Sequence, residues 1–200
     1  MTAQKESVVT PERLAQGISY KQWMEQIDRN QDKFESNYAG IQLNADDVAA
    51  IKALIAKSNG PKTCMAIGEP WCPDVFRGMP VIAKLCEATG LDLKIFFRDQ
   101  NVDIMNEFLY KGEFQSIPTL VFYDKDMKNL GVWHERAQKA RDEMPILNEI
   151  TGKMRNADLS EEERNKYMNE YAEFQNGPVW GGWREAEVKE IRSMLEAACA

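Results

Sequence analysis

Length, composition and charge limit the classes of protein to which this chain can belong. It has 200 residues, of which 44% are hydrophobic and 28% charged, values typical of one globular domain with an appendage. The formal net charge of −7 argues against a nucleic-acid-binding surface and against binding to anionic lipid membranes. No run approaches the ~20 apolar residues of a membrane span, and residues 1–13 lack the apolar segment of a secretory signal. We therefore expect a cytoplasmic location.

The first part of the chain, residues 1–43, is predicted to be a helical extension. Residues 1–11 have the composition of a disordered segment, and Thr10 can cap a helix that Ser19 restarts. Apolar residues then recur at helical spacing from Tyr20 to Tyr38, with charged residues between them. We expect this amphipathic helix to pack on the core, with docking of a partner or of a second copy as the alternative.

Alternating helices and strands follow, and they predict an α/β domain over residues 44–150. The order of elements favours parallel pairing in the first half of a sheet and an antiparallel hairpin at its end. The predicted elements are a helix capped by Asn44, a strand at 64–67, a helix at 73–90, a strand at 91–98, a short helix at 101–112, and hairpin strands at 119–123 and 130–134.

Helices are also predicted after the hairpin. Residues 136–143 look helical, and Pro145 ends this helix or restarts it toward Met154. Ser160 and Glu163 have the spacing of a capping box, which predicts another helix. The segment 180–183 is predicted to be a loop before a last helix. We expect residues 151–200 to form a C-terminal helical extension that packs on the core.

A cysteine at the start of the 73–90 helix is the candidate reactive group. Cys72 follows a strand and a tight turn, and Pro73 suits the first position of a helix. The unpaired N–H groups of a first helical turn and the helix dipole stabilise a thiolate. We therefore expect the pKa of this thiol to be lowered into the range of ~3.5–7.5. Asp74 suits the dipole but would repel a thiolate.

The remaining cysteines and the single histidine are not expected to complete a site. Cys64 and Cys86 fall on apolar faces, so we predict that they are buried and inert thiols. Cys199, near the C-terminus, is a remote candidate for a resolving thiol. His134 is interpreted as a surface residue at the end of a strand. The spacings predict no structural disulfide, no metal site and no cofactor.

These motifs resemble those of the thioredoxin-like superfamily. The stretch WCPD at 71–74 is similar to the start of a W-C-x-x-C site, Pro80 resembles the proline that kinks the first helix, and IPT at 117–119 resembles the cis-proline loop. Bacterial members with helical extensions at both ends and a W-C-x-D-C site are especially similar. The resemblance implies an α/β thioredoxin-like fold, with a central mixed β-sheet flanked by helices and extra helices at both ends.

The resemblance also implies two candidate functions. Val75 stands where the family has its second cysteine, and Ala66 where thioredoxin has a buried acid. The first function is monothiol thiol–disulfide exchange or redox sensing, with a protein or small-molecule thiol or disulfide as partner. The second is a redox-inactive binding or scaffold module that uses the cis-proline groove and the helical flanks to dock a partner. The implied site consists of a nucleophile, Cys72, and substrate-binding residues Trp71, Pro73, Asp74, Ile117 and Pro118.

Overall fold

The computed structural model describes residues 7–200, so residues 1–6 of the segment predicted to be disordered lie outside the described residues. The prediction of disorder is wrong for residues 7–11. Val9 is buried in the core, and the Val8 N–H donates to the Glu107 carboxylate at 2.9 Å. Thr10 caps the first short helix, α1 (Pro11–Leu14), as predicted, because its hydroxyl accepts from the N–H of Arg13.

A four-stranded mixed sheet forms the centre of the molecule. Its strands are β1 (Thr63–Gly68), β2 (Asp92–Phe97), β3 (Thr119–Tyr123) and β4 (Asn129–His134), and they lie in the order β2-β1-β3-β4. The first pair is parallel, and β3 is antiparallel to both of its neighbours. All of β3 and all but the first residue of β1 are buried, because helices cover both faces of the two central strands.

The helices of the α/β domain begin and end at local signals. Asn44 accepts hydrogen bonds from the N–H groups of the first turn of α4 (Ala45–Ala56). Gly90 ends α5 (Pro73–Thr89) with φ of 80°, which glycine adopts without strain. The third helix, α6, is shorter than predicted because turns replace it after its first four residues. The helices are α4 (Ala45–Ala56), α5 (Pro73–Thr89), α6 (Val102–Met105) and α7 (Gln138–Met154).

The N-terminal flank contains two helices where the sequence predicts one. The single helix predicted from Tyr20 to Tyr38 is wrong, since α2 (Tyr20–Gln26) and α3 (Gln31–Ala39) are separated by a break. Asn30 adopts a left-handed conformation at the break, with φ of 58°. The side chain of Gln31 donates to two carbonyls at the end of α2, which takes the place of the missing helical bonds.

The C-terminal flank also differs from its prediction at one point. The loop predicted at 180–183 is wrong, because these residues lie within α9 (Pro178–Ala198). Trp180 and Trp183 are three residues apart on one helical face, and both are buried. Burial of two indoles outweighs the low helix propensity of the glycines between them. The capping box of Ser160 and Glu163 is present at the start of α8 (Glu161–Asn176), and α7 continues through Pro145 without ending there.

The predicted α/β architecture is confirmed. A mixed sheet lies between helices, and extra helices pack at both ends of the chain. Among the described residues, none of the helices has both the length and the apolar character needed to cross a lipid bilayer.

Candidate functional site

Cys72 lies at the point where the central strand passes into the central helix. It is the N-cap of α5, with extended backbone angles, and Pro73 is the first helical residue. Its carbonyl accepts hydrogen bonds from the N–H groups of Val75 and Phe76, both at 3.1 Å. The side chain is partly exposed. This is the strand–turn–helix placement that the sequence predicts for the thiol.

The loop at 117–118 faces this thiol. The Ile117–Pro118 peptide bond is cis, and the Cys72 thiol lies 3.8 Å from the Ile117 carbonyl oxygen, to which it donates. The Pro118 carbonyl accepts from the N–H of Glu135 at 2.7 Å, which ties the loop to the end of β4. Among the described residues, nothing accepts a hydrogen bond from the Ile117 N–H. The loop therefore presents an unpaired backbone donor beside the thiol.

The electrostatic environment of Cys72 differs from the one predicted. Burial raises the pKa of the Cys72 thiol, and the negative charges of Asp74 and Glu135 raise it further. The N–H groups of Val75 and Asp74 act in the opposite direction. The predicted lowering of this pKa is wrong, because desolvation and two nearby carboxylates outweigh the effect of the helix start. The thiol is therefore protonated at neutral pH.

Asp74 is fixed by arginines and does not project freely toward the thiol. Arg77 donates to one carboxylate oxygen at 3.0 Å, and Arg136 donates to the other. Arg136 also pairs with Glu135 at 2.6 Å, and Arg141 pairs with Glu135 at 3.0 Å. These ion pairs form a chain of alternating charges. The chain joins the first turn of α5 to the end of β4.

The other predicted site residues lie around the thiol in different environments. Trp71 is 43% exposed, and the guanidinium of Arg98 lies 5.0 Å from the centre of its ring. Val75, at the position of the family's second cysteine, is completely buried. A Cβ placed on Gly68 would meet a Val75 methyl group at 2.9 Å, so this side chain is packed tightly on the end of β1. The structure thus brings Cys72 to Ile117, and Pro118 lies beside Gly78 of the helix that Cys72 starts.

A carboxyl group that the sequence analysis missed lies under the cis-proline loop. Glu187 of α9 is completely buried, and a Cβ placed on Gly78 would lie 3.3 Å from both of its carboxyl oxygens and 3.3 Å from Pro118 Cγ. Arg77 Nη1 is 3.7 Å from Glu187 Oε2. Burial raises the pKa of Glu187 to about 8, although the charge of Arg77 lowers it. The sequence contains one signal of this burial, because Glu187 is four residues from both Trp183 and Ile191, on the apolar face of its helix.

None of the other three thiols is placed for thiol–disulfide exchange with Cys72 or with a partner. Cys64, Cys86 and Cys199 are buried, and burial, together with the neighbouring Cys86, raises the pKa of Cys64. Cys199 Sγ is 3.5 Å from the carbonyl of Asn59, before β1, whereas Cys72 follows the other end of that strand. Six strand residues span about 20 Å. The candidate role of Cys199 as a resolving thiol is therefore wrong.

His134 is the last residue of β4, as predicted, but it is less exposed than a surface residue. It is half-buried, its Nε2 is hydrogen-bonded to the Phe108 carbonyl at 2.8 Å, and its ring packs against Tyr110 at 5.4 Å between ring centres. Burial lowers its pKa.

Among residues 7–200, no three His, Cys, Asp or Glu side chains are grouped so that they could hold a metal ion.

Comparisons with known proteins bear on the fold and the family. The chain is similar to a protein of unknown function from Pseudomonas aeruginosa, with a TM-score of 0.67 and 15% identity over 95% of this chain and 99% of that one. It is also similar to an HIV epitope-scaffold, with a TM-score of 0.62 and 15% identity over 94% of this chain and 99% of that one. No curated protein matches the sequence significantly. A family model described as Thioredoxin matches residues 17–154. Because this match covers more than half of the chain, the protein belongs to the thioredoxin-like superfamily.

Proposed function

We propose that the protein is a monothiol thioredoxin-like protein whose Cys72 forms a mixed disulfide with a partner bound along the cis-proline loop. One observation carries this proposal. The one partly exposed thiol among the described residues lies 3.8 Å from the Ile117 carbonyl, at the start of α5. The thiol and the unpaired Ile117 N–H are thus available to the same bound segment.

The chemistry is an exchange between sulfur atoms. The Cys72 thiol loses its proton to solvent, and the thiolate attacks one sulfur of a partner disulfide. The partner S–S bond breaks, a Cys72–partner S–S bond forms, and the other partner sulfur leaves as a thiolate. Val75 supplies no second thiol, so a low-molecular-weight thiolate must then attack the mixed disulfide and release Cys72. The cytoplasm, the setting we propose, keeps such thiols reduced.

The raised pKa of Cys72 shapes the expected rates. Only a small fraction of the thiol is ionised at neutral pH, so attack on a disulfide is slow there. A thiol with a high pKa is also a poor leaving group, so the mixed disulfide is slow to resolve. Both effects favour retention of a partner over rapid turnover.

The backbone of the loop would hold the partner. An extended segment can pair with the Ile117 N–H and carbonyl as an added strand. In the free protein, the Cys72 thiol donates a hydrogen bond to the Ile117 carbonyl at 3.8 Å. Formation of a disulfide removes the thiol proton and with it this hydrogen bond. Covalent capture would therefore free the carbonyl for the partner's N–H. Exposed Trp71 and the Pro73–Asp74 turn would border the bound segment.

A second candidate function is a redox-inactive binding module that uses the same loop and the helical flanks. The raised pKa of Cys72 and the neighbouring carboxylates favour it, because they reduce the reactivity of the thiol. The two candidates differ in whether the sulfur is needed. Replacement of Cys72 by serine abolishes the first function and leaves the second intact.

Reaction with glutathione disulfide tests the monothiol proposal. The reduced protein should form one glutathione adduct, on Cys72, at a rate that rises as pH increases, because ionisation of the thiol limits the reaction. Mass spectrometry of peptides locates the adduct. Cys72→Ser should form none, and Cys199→Ser should behave as the wild type. Modification of Cys64 or Cys86 before Cys72, or no adduct at alkaline pH, would contradict the proposal.

A variant with a second thiol at position 75 is the second test of the monothiol proposal. Positions three apart on a helix have Cβ atoms ~5–6 Å apart, which local adjustment at a helix start can close to a disulfide. The wild type should reduce insulin in dithiothreitol no faster than the background, whereas Val75→Cys should form a disulfide with Cys72 and show activity. Replacement of the buried valine should cost about 1 kcal/mol in packing.

Val75→Ser is the matched control, because it has a hydroxyl group in place of the sulfur, and it should stay at background. If Val75→Cys forms the disulfide and remains inactive, the groove has diverged from that of an oxidoreductase, and the binding module becomes the better proposal. Activity of the wild type would show that an external thiol resolves the adduct rapidly.

A further inference from the structure

A cavity of about 400 Å³ lies between the start of α5 and the helices α7, α8 and α9. Its wall includes Pro73 and Asp74, the two residues that follow Cys72. Pockets of about 300–1,000 Å³ are the usual size for small-molecule ligands. Neither the mixed-disulfide chemistry nor the cis-proline loop uses this space.

One part of the cavity wall is apolar and aromatic. Trp180 and Trp183 line it, together with Met144 and Leu147. The two indole N–H groups donate to other partners, Asn37 Oδ1 at 2.8 Å and Glu143 Oε2 at 2.7 Å. Both indoles are only 1% exposed, so the apolar surface that a ligand can contact comes mainly from the half-buried Met144 and Leu147, and an apolar body suits it.

The charged part of the wall has more guanidinium groups than carboxylates. Arg77, Arg136 and Arg155 line the cavity, and Asp74 is the one carboxylate among its lining residues. Arg77 is only 1% exposed, and its Nη2 already donates to Asp74 and to the Glu135 carbonyl, so a ligand in the cavity reaches Arg136 and Arg155 rather than Arg77. The buried Nε of Arg136 donates no hydrogen bond to a described residue. Glu187 Oε2 lies 3.7 Å from Arg77 Nη1, beyond hydrogen-bond length.

Buried donors without partners are unfavourable, and guanidinium groups pair well with carboxylate and other oxyanions. We propose that this cavity binds a small organic anion, with its apolar body against Met144 and Leu147 and its anionic group at the guanidinium groups of Arg136 and Arg155. The site does not depend on the Cys72 sulfur, so it is separate from the proposed exchange chemistry.

The probe is 8-anilinonaphthalene-1-sulfonate, an aromatic anion that fluoresces in apolar surroundings. It should bind the full chain with a stoichiometry of one, and Cys72→Ser should bind it equally well. N-phenyl-1-naphthylamine, which has the same rings without the sulfonate, should bind at least about fivefold more weakly, since it lacks the charge-assisted hydrogen bonds. Millimolar inorganic sulfate should not displace the probe, because it has no apolar body.

Two variants locate the binding. Thr151 lines the cavity, so Thr151→Phe should fill it and weaken binding at least about tenfold, whereas Thr151→Val should bind as the wild type. Arg155 is exposed, so Arg155→Gln leaves the fold intact and should weaken binding about threefold. Arg164→Gln changes the net charge equally on exposed surface of α8 and should have no effect.

Each contrary result overturns the proposal. Equal affinity for the anion and the uncharged amine would show that the arginines do not contribute to binding. Unchanged affinity in both Thr151→Phe and Arg155→Gln would place the probe elsewhere on the protein. If Thr151→Phe is unstable, the comparison of Arg155→Gln with Arg164→Gln decides the question alone.

Discussion

The two helical flanks pack on the same core through different interactions. In the N-terminal flank, Trp23 stacks on Phe97 with ring centres 4.3 Å apart, and Phe34 packs its edge on Phe76 at 6.3 Å. In the C-terminal flank, α9 places the carboxyl group of Glu187 in the interior, next to Arg77. One flank buries aromatic surface, and the other also buries ionisable groups.

This difference shows which flank is coupled to the candidate site. Aromatic surface is stabilising wherever it leaves water, and its effect depends little on pH. A buried carboxyl group is tolerated only when it is protonated or paired. Glu187 lies beside Gly78 and Pro118, and Arg77 links it to Asp74. The C-terminal flank therefore brings an ionisable group to the elements that hold Cys72, whereas the N-terminal flank stabilises the fold.

The largest effect is expected from removal of an aromatic contact in the N-terminal flank. Trp23→Ala should lower the free energy of unfolding by ~3–5 kcal/mol, because it leaves a cavity in the core. Urea denaturation followed by circular dichroism measures the change. Trp71→Ala removes the same side chain from an exposed position and should change stability by less than about 1 kcal/mol. Similar losses in both variants would show that burial does not distinguish these positions.

A smaller, pH-dependent effect is expected from Glu187 in the C-terminal flank. Its pKa is raised from 4.5 to about 8 in the folded protein, so folding binds a proton between these values. The free energy of unfolding contributed by this group is therefore present below pH 4.5 and is lost as pH rises through about 8. Glu187→Gln cannot ionise, so it should be more stable than the wild type at pH 9 and should lose less stability between pH 5 and pH 9.

Thermal unfolding over this pH range measures the effect of Glu187→Gln. The charged groups that face Glu187 are Arg77 and Asp74 of α5 and Arg184 and Glu190 of its own helix, and all four remain in the variant. Glu185→Gln, on the exposed face of α9, is the matched control and should retain the wild-type pH dependence. An unchanged pH profile in Glu187→Gln would mean that this carboxyl group is not the titrating one.

The smallest effect is expected at Asp74, which Arg77 links to Glu187 of the C-terminal flank and whose charge acts on the Cys72 thiol. Asp74→Asn removes a negative charge that raises the pKa of Cys72, so the thiol pKa should fall. The rate of alkylation by iodoacetamide at neutral pH should rise about two- to fivefold, in proportion to the thiolate fraction. Asp126→Asn, in the exposed hairpin turn, should react as the wild type. A slower reaction of Asp74→Asn would reverse the proposed electrostatic role.

The sequence by itself determined the parts of this protein that depend on neighbouring residues. Asn44 and the Ser160–Glu163 pair cap the helices they were predicted to cap, and Gly90 ends α5 where the apolar spacing ends. The strand, turn and helix around Cys72 follow from the same local signals. Backbone hydrogen bonding and φ preferences act over a few residues, so a short stretch of sequence is enough to predict them.

Two features were decided by the tertiary structure alone: the pKa of Cys72, and where two segments of the flanks are helical. The pKa of Cys72 is raised because distant Glu135 and the covering layers of the fold act on it together with Asp74. Asn30 breaks the N-terminal helix where Trp23 and Phe34 must both reach the core, and burial of Trp180 keeps a glycine-rich segment helical. Desolvation and packing depend on which elements meet in space, and no local pattern contains that information.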